Sequence, residues 1–148
     1  MKVIAITGTP GTGKSTLARK LAKEKGYFRL DLHQHYKEIS LRYERKSKSY
    51  VIDEKKFLNL VKREIKKHAK EKGIVIDTHI SHYLPKKIVD KCIVVTCSNL
   101  KELERRLKKR KYSKAKIREN LDCEIFQVCL AEALERNHKV KVVDSCKR

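Results

Sequence analysis

Following the apolar run Val3-Ile4-Ala5-Ile6, the residues Gly8-Thr9-Pro10-Gly11-Thr12-Gly13-Lys14-Ser15-Thr16 fit the pattern G-x-x-x-x-G-K-[ST]. These residue types at this spacing hold the phosphates of a nucleoside triphosphate. Gly8, Gly11 and Gly13 let the backbone curl until successive N–H groups face phosphate oxygens, and a helix starting near Lys14 adds the positive end of its dipole. Lys14 is expected to reach the outer phosphates, Ser15 to offer its hydroxyl to Mg²⁺, and Thr16 to touch the inner phosphate. A chance glycine-rich turn would lack the flanks present here. An apolar strand precedes the loop, and Leu17, Ala18, Leu21 and Ala22 follow at helical spacing.

Two further groups fit the same chemistry. Asp77 directly follows Ile74-Val75-Ile76, the place where phosphate-loop enzymes keep an acid that holds Mg²⁺ or its waters. The plainer reading is an aspartate that ends a strand and caps a turn. His79 lies two residues on, at the same edge, where it could orient a water or a second substrate; a loop histidine also serves structure alone, and His82 is the weaker candidate. Transfer of a phosphoryl group also needs cations on a segment that closes and excludes water. Arg105, Arg106, Arg110 and Arg118 are the candidates, because a planar guanidinium bonds phosphate bidentately. Arg110 is the best placed, at a junction around Lys111-Tyr112-Ser113 where a short lid, residues 109–119, would hinge. For the neighbouring basic residues solvent exposure is the simpler account. The pair His33 and His35, and the spacing of Cys92 and Cys97, are too sparse to argue a metal site.

These groups need a scaffold, and the hydrophobic pattern supplies one. Residues 2–7 read as a buried strand and 14–25 as a helix closed by Gly26, the first half of a βαβ unit. Residues 27–30 read as a short second strand, and 32–46 as a polar, partly helical stretch carrying Lys37, Arg42, Arg45 and Lys46. Lys46-Ser47-Lys48-Ser49 reads as a loop. Asp53 suits an N-cap for a helix whose apolar face, Phe57, Val61 and Ile65, runs on toward Gly73. Ile74-Val75-Ile76 and Ile93-Val94-Val95 are the third and fourth strands, and Leu100, Leu103 and Leu107 stripe the next helix. One long helix over 114–137 would bury Ile117, Leu121, Ile125 and Val128 before Val140, Val142 and Val143 supply a fifth strand. Apolar strands alternating with helices predict an α/β P-loop NTPase fold, a five-stranded parallel sheet with helices on both faces.

The 148 residues suit a single domain spanning 1–148. The longest apolar stretches are of strand length, which argues against a membrane span, and Met1-Lys2-Val3 running into a core strand leaves no room for a signal peptide. Five cysteines without a C-x-x-C pair fit reduced, mostly buried thiols in a cytoplasmic protein. Thirty-eight Lys and Arg against eighteen Asp and Glu give a formal charge of +20, more than one nucleotide requires. Residues 101–118 hold ten basic side chains and two acids, and 55–72 hold eight and two. Such density attracts RNA phosphates, and it is equally the composition of a solvated, charge-rich surface of the kind thermophiles carry.

The phosphate loop, Asp77-Thr78-His79, Arg110-Lys111-Tyr112 and Asn120-Leu121-Asp122-Cys123-Glu124-Ile125-Phe126-Gln127 occur in this order, and together they resemble the adenylate kinase isoenzyme 6 family. The resemblance covers essentially the whole chain. It implies a small, short-lid nucleoside monophosphate kinase with adenylate kinase and ATPase activities. It also implies a part in assembly of the small ribosomal subunit, through a platform ribosomal protein and late rRNA maturation. ATP would lie on Gly11, Gly13, Lys14, Ser15 and Thr16, with Arg110 as the lid arginine and Asp77 and His79 in the acidic motif. A monophosphate-binding segment would run over 31–54, and Lys147 would contact the base. Two departures stand out. Where such kinases grip AMP with an arginine, this chain has Lys37, with Arg42 further along; and relatives continue into a C-terminal helix, whereas this sequence stops at Arg148, so the sheet face is either open to a partner or already covered.

The leading expectation is an enzyme, favoured as a monomer, that passes the γ-phosphoryl group of ATP with Mg²⁺ to AMP, or to water when no monophosphate is bound. Lys14, Asp77, His79 and Arg110 would carry the reaction, and Lys37 and Arg42 the acceptor. Two alternatives remain open: an assembly factor whose grip on a ribosomal protein or rRNA is switched by nucleotide, and a small-molecule kinase of another specificity.

Overall fold

The chain runs β1 (Lys2–Thr7), α1 (Lys14–Lys25), β2 (Phe28–Leu30), α2 (Tyr36–Ile39), β3 (Ser40–Glu44), β4 (Ser49–Ile52), α3 (Glu54–Lys67), β5 (Gly73–Asp77), β6 (Lys91–Thr96), α4 (Leu100–Lys109), α5 (Lys114–Ile125), α6 (Val128–Glu135) and β7 (Val140–Asp144). The computed structural model describes residues 1–46 and 49–146, with only the backbone of Ser49. Lys147, and the middle of the loop expected over 46–49, lie outside the described residues.

Five strands pair in parallel in the order β2-β5-β1-β6-β7. Period-two alternation divides their side chains between two apolar layers. Val3, Ala5, Ile74, Ile76, Cys92 and Val94 face Phe57, Leu60 and Val61 of α3 and Ala133 of α6. Ile4, Ile6, Val75, Ile93 and Val95 face Ala18 of α1. Helices therefore cover both faces, as the uninterrupted apolar strands require. β1 is the central strand, and its neighbours β5 and β6 come from different βα crossovers, so the crevice beyond its C-terminal end is the switch point where α/β sheets bind ligands.

Three local expectations are corrected. The polar stretch after β2 is a 3₁₀ turn, the single-turn α2, and then an antiparallel hairpin of β3 and β4, which forms a sheet of its own. Its residues Leu41, Arg42 and Tyr43 are all exposed, so no buried face marks it as strand; ring contacts between Tyr43 and Tyr50 (centroids 5.0 Å apart) and between Tyr36 and Tyr50 (6.1 Å) hold it instead. The expected long helix over 114–137 breaks into α5 and α6 at Gln127, whose φ of 50° is left-handed. The break turns Ile125 and Phe126 outward, 49% and 75% exposed, so Ile125 is not the core residue its spacing indicated.

The expectation of five free thiols is also corrected, since Cys97 and Cys146 are joined by a disulfide. Parallel pairing sets Thr96 opposite Asp144, and just past these residues the two cysteine Cα atoms lie 5.0 Å apart, inside the range a disulfide spans. Nothing in a separation of 49 residues announces that neighbourhood.

Candidate active site

The loop from β1 to α1 is shaped by left-handed glycines. Gly13, at φ 99°, is the N-cap of α1, and Gly8, at φ 148°, passes so close to β6 that any Cβ there would strike the Val95 carbonyl. The Thr12 hydroxyl donates to the Thr9 carbonyl at 2.7 Å and closes the curl. Lys14 folds back over the loop, its Nζ donating to the carbonyls of Gly8 (2.9 Å) and Thr9 (3.2 Å). Desolvation by the surrounding loop lowers its pKa to about 8, opposed by nearby anionic groups and assisted by Arg110. An ammonium resting on neutral carbonyls is poised to exchange them for phosphate oxygens, which would restore its charge.

Asp77 ends β5 beside this loop, 2% exposed at its side chain. Its Oδ2 accepts from the Ser15 hydroxyl at 3.2 Å, so two hard oxygen donors of the kind Mg²⁺ selects converge there. Arg29 of β2 grips the same carboxylate bidentately, Nε to Oδ1 at 2.9 Å and Nη2 to Oδ2 at 3.0 Å. Sequence reasoning passed over Arg29, although it is the one charged residue in a three-residue strand whose neighbour is β5.

His79 is exposed at the wall of the cleft. Even so, the concave protein surface around it withdraws water, and with Lys14 and His82 it lowers the imidazole pKa to about 4, so the ring is neutral at pH 7. The weaker candidate His82 is a core residue, 1% exposed. Its Nδ1 lies 2.6 Å from the Thr7 hydroxyl, its Nε2 lies 3.6 Å from Glu132, and burial, followed by Arg136 and His138, lowers its pKa to about 4.

The loop is braced from behind by two residues outside the phosphate-loop pattern. Glu124 is buried; its Oε1 accepts from the Thr9 hydroxyl at 3.0 Å and its Oε2 from the Cys97 N–H, which ties the loop to the end of β6. Burial pushes its carboxyl pKa up, against these hydrogen bonds. Arg106 donates to the Gly11 carbonyl (3.2 Å) and to the Ser145 hydroxyl (3.3 Å), joining the loop to the turn after β7. The only signals in the sequence were the position of Glu124 in the C-E-I-F-Q string and the i, i+4 spacing of Arg106 and Arg110 on one helix face.

Lys14, Ser15, Thr16, Asp77, His79 and Arg110 all line one cleft of about 630 Å³. Arg110 caps α4 at its exposed rim. A second cavity of about 550 Å³ opens on the other side of the loop, shares Gly11, Gly13, Thr16 and Arg110 with the first, and runs past Arg106 to Ser145. Lys37 and Arg42 are not brought to either cavity. Both are exposed, and Arg42 pairs with Glu44 at 3.5 Å. Arg105 is tied to Glu102 and Arg118 to Asp122 on their own helices, so neither reaches into the cleft. His33 and His35 pair with Asp31 and Glu38. Among the described residues no helix is long and apolar enough to cross a membrane.

Residues 4–127 match the AAA domain family. The adenylate kinase isoenzyme 6 homolog of Caenorhabditis elegans is 37% identical over 134 residues, which cover 89% of this chain and 72% of that protein. The adenylate kinase isoenzyme 6 homolog of Dictyostelium discoideum is 37% identical over 142 residues, covering 95% and 78%. Among solved structures, a deoxyadenosine kinase from M. mycoides with bound dATP superposes with a TM-score of 0.59 at 18% identity, over 97% of this chain and 91% of that one, a likeness of fold.

Proposed function

The chain belongs to the adenylate kinase isoenzyme 6 family, with an AAA domain over residues 4–127, and on that premise we propose that it is a nucleoside monophosphate kinase passing the γ-phosphoryl group of ATP to AMP. Water serves as acceptor when no monophosphate is bound. The observation that carries this reading is the convergence of Lys14, Asp77, His79 and Arg110, from three separate stretches of chain, on a single cleft.

The loop amides and Lys14 bind and orient the triphosphate. Ser15 and Asp77 would hold Mg²⁺, which would supply neutralisation of charge on the phosphate oxygens. Arg29 holds the Asp77 carboxylate in place beside Ser15. Arg110, at the hinge between α4 and α5, supplies the second cation for charge that develops on the moving group. His79, neutral near pH 7, positions the acceptor hydroxyl or water by a hydrogen bond and does not add charge. The cavity running from Gly13 to Ser145 would take the nucleoside.

The test measures ADP formed from ATP and Mg²⁺ with and without AMP, CMP, UMP or GMP. AMP should accelerate it most, with two ADP appearing for each ATP consumed. Acceleration by another monophosphate alone, or by none, would overturn the acceptor assignment. The +20 charge favours a second role in small-subunit assembly, through rRNA or a ribosomal protein. RNA affinity that falls steeply with salt and changes with bound ATP would support it, and weak, nucleotide-independent binding would remove it.

A further inference from the structure

We infer that Lys116 is the cation that receives the phosphate of the acceptor, so that it, and not the basic residues of the 31–54 segment, sets affinity for an anionic acceptor. The inference rests on the kinase reading above and specifies its acceptor end.

Its first support is place. The lysines and arginines lining the 630 Å³ cleft are Lys14, Arg110 and Lys116. Lys14 belongs to the phosphate loop and Arg110 to the hinge. Lys116 stands half-buried on the first turn of α5, and with Glu119 and Asn120 it also lines a groove of about 460 Å³ walled by Glu44, Lys46 and Val51 of the hairpin. Lys116 therefore sits where the donor cleft opens toward the β3–β4 hairpin. A monophosphate entering from that side meets it before it meets Lys14.

The second support is its partner. Among the described residues no carboxylate lies within ion-pair distance of Lys116, whereas Arg29, Arg105, Arg106, Lys108 and Arg118 are each paired with one. Its ammonium instead lies over the face of Tyr112, 4.2 Å from the ring centroid. A ring face orients a cation without cancelling its charge, and it leaves N–H donors for an anion. Tyr112 itself packs into the apolar cluster of Leu103, Leu107 and Ile117, which fixes the platform. The expected ligand is the dianionic phosphate of a nucleoside monophosphate. Lys37, Arg42 and Arg45 are exposed and line neither the cleft nor this groove.

The test compares Lys116→Met, which keeps the aliphatic stem against Tyr112, with Lys116→Arg and with Lys37→Met as a control outside the cleft. Kd for AMP and for ATP is measured by calorimetry, and KM for each in the coupled assay. A lost charge-assisted hydrogen bond should raise Kd and KM for AMP by roughly tenfold or more in Lys116→Met, with a much smaller change for ATP. Lys116→Arg should restore most of the affinity, and Lys37→Met should match the unaltered chain. Unchanged AMP binding in Lys116→Met, alongside AMP-dependent transfer by the unaltered chain, would overturn the inference alone. Equal losses for AMP and ATP would also overturn it, by showing a structural role. An unaltered chain that never uses AMP would overturn the kinase reading, and the inference with it.

Discussion

The two ends of the cleft are built by different means. At the end proposed for the donor the surface is backbone, curled by glycines and braced by the buried carboxylates of Asp77 and Glu124 and the part-buried guanidinium of Arg106, which arrive from β5, α5 and α4. At the end proposed for the acceptor it is made of side chains scattered over the 3₁₀ turn after β2, the hinge and the first turns of α5, held by ring contacts such as His33 with Tyr36 at 5.0 Å and Lys116 over Tyr112. A backbone site requires particular residues in sequence order, so it leaves a motif. A side-chain site requires only that certain groups meet in space, so it leaves none.

Breaking the donor end should have the largest effect. Lys14→Ala should lower turnover by about 10²-fold or more, because the cation nearest the transferring group is lost; a coupled ADP assay measures it, and an unchanged rate would refute the assignment. The same residue predicts a pH effect. Its pKa is about 8 in the free protein, and phosphate contact pulls it back toward its ordinary value of 10.5. ATP affinity should therefore fall as pH rises above about 8, and binding there should take up a proton. Calorimetry in two buffers of different ionisation enthalpy reads that proton directly, and zero uptake would mean that the ammonium does not meet phosphate.

Next comes the brace. Glu124→Ala leaves the Thr9 hydroxyl and the Cys97 N–H without their acceptor, in a site 4% exposed. The cost should be about 2–4 kcal/mol, a fall in Tm on the order of 10 °C, with weakened ATP binding because Thr9 anchors the loop. Glu124→Gln, which keeps one acceptor, should lose about half as much. Equal losses in the two variants would point to the charge and not to the two hydrogen bonds.

A buried histidine sharpens the contrast from beneath the loop. His82 carries a folded pKa of about 4 against an ordinary 6.5, so the unfolded chain binds more protons than the folded one between those values. Stability is full above about pH 6.5 and falls as pH drops toward 4, by about 3 kcal/mol from this residue. His82→Phe should flatten that part of the stability curve, measured by urea unfolding at several pH values. An unaltered slope would assign the acid sensitivity elsewhere.

The legibility of the fold follows the same division. The strands of the parallel sheet and α1, α3 and α4 were readable because burial imposes a period, and Asp53 and Gly26 mark helix ends where the cap geometry demands them. The hairpin was not readable, since it has no buried face, and the α5–α6 break was not, since Gln127 takes a left-handed conformation that its residue type does not advertise. Lys14, Asp77, His79 and Arg110 could be gathered from pattern and family resemblance. Arg29 could not, and Glu124 only as part of a string whose bracing role was hidden, because they meet Asp77 of β5 and the end of β6 only in the fold.

The smallest expected effect is the one that tells the two ends apart most cleanly. Basic residues in the segment after the second strand invite the reading that they grip the acceptor, and Lys37 and Arg42 occupy the inviting positions. Yet a lysine in full contact with water gains little from a phosphate that must itself be desolvated, and Arg42, already paired with Glu44, has its charge screened on a side chain 66% exposed. Replacing both with Ala should leave KM for AMP within about twofold of the unaltered chain, at low and at physiological salt alike. A rise of tenfold at both salt concentrations would mean that the hairpin segment swings its cations into the cleft when the acceptor binds. The acceptor end would then be a closing jaw, in place of a fixed shelf on α5.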